Sequence, residues 1–258
     1  MEINYDKKVV AITGAGRGIG KKIAEVFAKC GATVAVIDIN VESAIKVAKE
    51  IGGKAYICDV SNEDQVNDTF NKIVKNNGSL DVVINNAGIL MRGFIEDFSS
   101  EDLHKVLNIN LFGVYNCCRI AIKIMKRNKA GVIINATSVV NKHYAECMAG
   151  YCISKKAVEV LTKILASEAA KYGIRVNAYA PGTTETSMTA HLIKTNGRLK
   201  VKEIPMGRFG KPVDIAKGLI FLASDLAQHI TGTVLEIDGG ELVVHKPFLS
   251  QERLSKED

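Results

Sequence analysis

Val9-Val10-Ala11-Ile12-Thr13-Gly14-Ala15-Gly16-Arg17-Gly18-Ile19-Gly20 is an apolar, largely β-branched run that breaks into four alternating glycines. Helical periodicity follows from Lys21 to Cys30, and Gly31 caps that helix. The pattern reads as strand, tight turn, helix. Glycines at such a junction permit the turn and let the backbone approach a pyrophosphate, whose charge is met by free N–H groups at the helix N-terminus. The next apolar run, Ala32 to Ile39, carries Asp38 near its end. That is the place for a carboxylate that accepts hydrogen bonds from an adenosine ribose. A purely structural glycine turn would require neither the flanking strand and helix nor the acid, so the stretch predicts a dinucleotide site.

The same alternation continues along the chain. A helix over Val41–Ile51 ends at Gly52-Gly53, and the spacing then predicts a strand at Ala55–Cys58, a helix at Glu63–Asn76 and a strand at Leu80–Asn85. Helices follow across Ser100–Lys126, a strand at Gly131–Thr137, a helix to about Tyr172, a strand at Arg175–Ala180, a helix at Pro212–Ala223 and a last strand at Thr233–Ile237. Strands this apolar, alternating with helices, imply a parallel sheet covered on both faces. No linker or composition shift divides the chain, so the expected architecture is a single doubly wound, Rossmann-type α/β domain over residues 1–258. Two segments depart from the pattern. Thr183–Pro205 has the length and polarity of a substrate lid, with a surface helix pair as the alternative. Glu241–Asp258 is a C-terminal extension whose apolar start could pack on a neighbouring subunit.

Composition narrows the class. The 258 residues are 47% hydrophobic and 24% charged, with 4 Pro and no Trp, values of a globular chain rather than a disordered one. No run approaches a membrane span, and the start lacks a signal-peptide pattern, so a cytoplasmic protein is expected. The six cysteines, Cys30, Cys58, Cys117, Cys118, Cys147 and Cys152, show no C-x-x-C pair, so reduced, mostly buried thiols and no metal site are expected. The net charge of +6 is spread over helices that also carry acids, which argues against nucleic-acid binding.

Tyr151 and Lys155 stand four apart on one predicted helix and therefore share a face. An ammonium beside a phenol favours the ionised form, so Lys155 is expected to lower the Tyr151 pKa towards working pH and make proton exchange feasible. Asp38 would repel a 2′-phosphate, and Ile39 and Asn40 supply no cation, so NAD(H) is expected over NADP(H). Arg17 is the counter-argument, since a guanidinium in the glycine turn can reach a 2′-phosphate or pair with Asp38.

In chain order, Thr13 to Gly20, Asp59-Val60, Asn85-Asn86-Ala87-Gly88, Asn110, Ser138, Tyr151-x-x-x-Lys155, Pro181-Gly182 with Thr186, and Asp238-Gly239-Gly240 resemble the short-chain dehydrogenase/reductase family. The resemblance covers about Lys7 to Gly240 and implies a catalytic set of Asn110, Ser138, Tyr151 and Lys155. Tyr151 would exchange the proton, Ser138 would hold the substrate oxygen, Lys155 would also hold the nicotinamide ribose, and Asn110 would anchor a water chain. It implies cofactor contacts from Gly14, Arg17, Gly18, Ile19 and Gly20 at the pyrophosphate, Asp38 at the ribose and Asp59 and Val60 at the adenine. Asn86 would lie on the adenosine side, with Thr184 and Thr186 at the carboxamide.

The expected activity is NAD(H)-dependent interconversion of a secondary alcohol and a ketone by a homotetramer. A polyol, diol or small hydroxyketone ranks first, on a likeness of Asn177 to Gly182 to the run seen in diol and polyol members. A 3-oxoacyl thioester and a hydroxysteroid follow, and a non-catalytic dinucleotide-binding regulator is the rival class. His143, Tyr144, Glu146 and Met148 are expected to border the substrate pocket. Lys123, Lys126, Arg127 and Lys129 read as a solvated helix end before they read as a docking patch for an acidic carrier.

Overall fold

Successive side chains of a strand point to opposite faces of its sheet, and β1 (Val9–Thr13), buried along its whole length, uses both. In the computed structural model, which describes residues 3–243, Val9 and Ala11 enter one core and Val10 and Ile12 the other. The chain continues through α1 (Gly18–Lys29), β2 (Thr33–Asp38), α2 (Val41–Ile51), β3 (Lys54–Ile57), α3 (Glu63–Asn77) and β4 (Val82–Asn85). The second half comprises α4 (Ser100–Leu107), α5 (Gly113–Asn128), β5 (Gly131–Ala136), α6 (Ala149–Ala170), β6 (Ile174–Pro181), α7 (Ala190–Lys200), α8 (Pro212–Ala223) and β7 (Val234–Ile237). All pairings are parallel, in the order β3-β2-β1-β4-β5-β6-β7. This is the doubly wound parallel sheet with helices on both faces that the alternation implied.

One core joins Val83, Ile133 and Val176 of the sheet to Phe70 of α3, Met125 of α5 and Val158 of α6. The other joins Val36, Ile84 and Ile134 to Ile23 and Phe27 of α1, Val47 of α2 and Leu219 of α8. Phe27 is fully buried, and full burial of such a side chain contributes about 1.5–3 kcal/mol. Helix ends follow local chemistry: the Asn40 side chain accepts the Ser43 N–H at the start of α2, and Gly52, at φ 69°, closes it.

Most boundaries differ from the sequence reading by one or two residues, as fraying ends do. The expected helices over Ser100–Lys126 form one nearly continuous rod interrupted by a π-helical turn, Asn108–Phe112. No proline marks that turn. The close approach lies just beyond it, where a Cβ on Gly113 would stand 2.6 Å from Val60 Cγ2. Residues 183–205 contain α7 and a short 3₁₀ turn, Val201–Glu203. Of the C-terminal extension, residues 244–258 lie outside the described residues.

Candidate active site

The glycine turn carries β1 into α1. Gly14 and Gly18 adopt φ of 62° and 56°, the left-handed region that glycine enters freely. A Cβ on Gly20 would stand 2.1 Å from the Gly14 carbonyl oxygen, whereas one on Gly18 would meet nothing nearer than Thr186 Cγ2 at 3.7 Å. Gly18 therefore opens on the cleft, and no side chain caps the first turn of α1. Asp38 ties this turn to the end of β2, accepting Gly16 N–H at 2.8 Å through Oδ2 and Asn40 N–H at 2.9 Å through Oδ1. Among the described residues Arg17 forms no ion pair with Asp38, whose neighbours are these backbone donors.

Two further predicted contacts also brace the fold. Asp59 accepts the Ser61 N–H at 2.9 Å and hydroxyl at 2.7 Å. Asn86 Nδ2 donates to the Thr13 and Gly14 carbonyls, both at 3.1 Å, while its Oδ1 accepts the Tyr179 hydroxyl at 2.9 Å. The ends of β1, β4 and β6 are thus cross-linked behind the glycine turn.

At the other end, α6 presents Tyr151 and Lys155 beneath the end of β5. The Ser138 hydroxyl, just beyond β5, stands beside the Tyr151 phenol and favours its ionised form. Lys155 Nζ donates to the Ala136 carbonyl at 2.9 Å and stands 5.6 Å from the centre of the Tyr151 ring. Asn110, fully buried in the π turn, accepts Ile89 N–H at 2.8 Å, donates to the Ile89 carbonyl at 2.9 Å and to Ser154 Oγ at 3.2 Å. A Cβ on Gly88 would lie 3.2 Å from Asn110 Oδ1 and 3.5 Å from Lys155 Nζ, so glycine lets this loop close over both.

The electrostatics correct one expectation. Burial raises the Tyr151 phenol to about 12, and the neighbouring Ser138 hydroxyl, not Lys155, opposes the rise. The ammonium is directed at the Ala136 carbonyl rather than at the phenol oxygen. Burial also depresses Lys155, to about 8.

These groups line one cleft of about 610 Å³ at the carboxyl ends of the strands, where sheet order reverses between β1 and β4. Gly14, Arg17, Gly18, Ile19, Gly20, Asp38, Asp59, Val60 and Asn86 line one part; Tyr151, Lys155 and Thr186 line the other. Ser138 and Asn110 stand behind the wall, reaching it through Tyr151 and Ile89. Thr184 is buried, and its hydroxyl donates to the Gly182 carbonyl at 2.9 Å. Its backbone forms a parallel bridge with Gly210.

Sequence reasoning missed Arg92, Thr137, Tyr179 and Met188, all of which line the cleft. Tyr179 lay within the Asn177 to Gly182 run already singled out, whereas Arg92 and Met188 carry no spacing signal. The loops bearing Arg92 and Tyr144 are joined by the Gly93 N–H to the Cys147 carbonyl at 3.0 Å. All six cysteines are free, four of them buried, and among the described residues no helix is long and apolar enough to cross a membrane.

The profile of the family described as Enoyl-(Acyl carrier protein) reductase matches residues 14–241, a span that takes in the glycine turn and the Tyr151–Lys155 helix. The chain belongs to the short-chain dehydrogenase/reductase family. It is an oxidoreductase of that family. Among short-chain dehydrogenase/reductase relatives, the 3-oxoacyl-[acyl-carrier-protein] reductase FabG of Thermotoga maritima is 40% identical over 246 residues, covering 93% of this chain and 100% of that protein. The 3alpha-hydroxysteroid dehydrogenase of Mediterraneibacter gnavus is 38% identical over 239 residues, covering 90% and 96%. A solved member, the 3-ketoacyl-(acyl-carrier-protein) reductase from Brucella melitensis complexed with NADH, superposes with a TM-score of 0.88 at 35% identity, covering 93% of this chain and 100% of that one.

Proposed function

We propose that the chain is an NAD(H)-dependent oxidoreductase that interconverts a secondary alcohol and a ketone. One observation carries the reading: Tyr151, with Ser138 behind it, and Lys155 face the same cleft as the glycine turn and Asp38. The cradle fits a dinucleotide, because Gly14, Gly18 and Gly20 line the cleft without side chains, where a pyrophosphate could approach the start of α1. When bound, the nicotinamide supplies or accepts the hydride. Tyr151 passes the proton to or from the substrate oxygen, Ser138 holds that oxygen, and Lys155 orients the cofactor ribose and adds positive charge below its pKa of about 8. Asn110 holds the Ile89 wall and the turn of α6 at Ser154. Asp38 supports NAD(H) over NADP(H), since a 2′-phosphate would meet its carboxylate.

With this reading go one domain over residues 1–258, a substrate lid at 183–205, a homotetramer and a place in the cytoplasm. The first substrate class is a polyol, diol or small hydroxyketone. A second reading, a 3-oxoacyl thioester or a hydroxysteroid, is supported by exposed Phe94, Ile95 and Tyr144 on the two loops beside the cleft and by the names of the relatives. NADH oxidation screened over sugars, diketones, 3-oxoacyl thioesters and oxosteroids separates the two. Tyr151→Phe should lower kcat about 10²–10⁴-fold on the best substrate without abolishing NADH binding. Undiminished turnover in that variant, or a clear preference for NADPH in kcat/KM, would overturn the corresponding assignment.

A further inference from the structure

Thr186, Ser187 and Met188 form a cleft wall on a segment otherwise outside the sheet, so something must hold that segment in place. The turn after β7 does so. Asp238 accepts Gly240 N–H and Leu242 N–H, each at 2.8 Å, and shapes the turn that delivers Glu241 into the protein. Glu241 is only 7% exposed. Its Oε2 accepts Thr183 N–H at 2.9 Å, at the entry of the segment, and its Oε1 pairs with Lys200 Nζ at 2.8 Å, at the end of α7. The exit is held by the same turn, through Met206 N–H to the Gly239 carbonyl at 3.1 Å. The fit is close: a Cβ on Gly182 would lie 2.8 Å from Glu241 Oε2, and one on Gly240 would lie 3.0 Å from Pro205 Cγ.

We propose that Glu241 is a positioning residue for the cleft, its carboxylate latching the start of segment 183–205 to the end of α7 so that Thr186, Ser187 and Met188 stay on the wall. A buried carboxylate that answers both a backbone N–H and an ammonium is costly to leave half-paired. Loss of either partner therefore releases the segment as a unit, while the Tyr151 cluster, mounted on α6 and β5, keeps its geometry. The effect on turnover rests on the reading of the cleft as an NAD(H) site; the latch itself does not.

Hydrogen–deuterium exchange over residues 183–205 of the full chain, without cofactor, tests the latch, and steady-state kinetics with NADH test its consequence. Glu241→Gln keeps an acceptor for Thr183 but loses the charge opposite Lys200, and Lys200→Met removes the ion pair alone from the Glu241 side. Both should speed exchange about tenfold and raise KM for NADH roughly three- to tenfold with kcat within about twofold. Lys200→Arg should restore the parental values. Glu203→Gln controls for the other, exposed partner of Lys200 and should match the parent. Parental exchange in both Glu241→Gln and Lys200→Met overturns the latch, and faster exchange with unchanged KM overturns the positioning role. If the parent itself fails to bind NADH, the cofactor reading falls, and exchange at the Ser187 and Met188 amides still decides the latch.

Discussion

The ammonium of Lys155 is hydrogen-bonded to the Ala136 carbonyl and buried, and its pKa falls from 10.5 to about 8. The sign of the stability effect follows from proton counting. Below about pH 8 both folded and unfolded chains hold the proton, and the folded state bears the full cost of burying the charge. Between about 8 and 10.5 the unfolded chain retains a proton that the folded one has released, so this contribution to stability rises with pH. Above 10.5 the cost is gone. Lys155→Met removes the titration, so the stability of the variant relative to the parent should fall by on the order of 3 kcal/mol between pH 7.5 and pH 10.5. Urea titrations across that range measure it, and parallel pH curves for the two proteins would contradict the assignment. Tyr151, raised to about 12, titrates above this window and is common to both proteins.

At the scale of elements, α8 shows how one strand residue can hold a helix. Arg175, near the amino end of β6, donates to the carbonyls of Leu222, Ala223, Ser224 and Ile230 at 2.8–3.2 Å, satisfying acceptors where α8 stops. Arg175→Met should cost about 3 kcal/mol and lower Tm by roughly 6–12 °C. Because the cleft opens at the opposite ends of the strands, kcat and KM should be unchanged, and a thermal melt with matched kinetics checks both halves. The elements themselves were legible in the sequence wherever apolar runs and glycine or asparagine caps agreed, as at β1, α2 and β4. The π turn at Asn108–Phe112 was not, because it carries no proline and answers to contacts distant in the chain. The site divides in the same way. Tyr151, Lys155, Ser138 and Asn110 have residue types and order that announce a chemistry. The burial of Thr184, the place of Arg92 on the wall and the grip of Glu241 depend on which loops meet.

Across the whole molecule, the sheet order β3-β2-β1-β4-β5-β6-β7 puts both halves of the cleft on one rim, and the seven strands build that rim to different standards of rigidity. Where the glycine turn sits, the side chains of Asn86 and Tyr179 knit three strand ends together. Where the substrate would enter, the surroundings are loops with Phe94, Ile95 and Tyr144 exposed. Warming should therefore divide one protein into two behaviours. Selectivity among ketones and turnover should fade at a lower temperature than the capacity to bind NADH, because local opening precedes global unfolding. Parallel ramps of initial rate and of bound-NADH fluorescence would record the gap, and coincident midpoints would show the rim to melt as one. Between the two midpoints the molecule would be a cofactor carrier that has forgotten its substrate, a state that the Asn86 brace behind the glycine turn helps to hold.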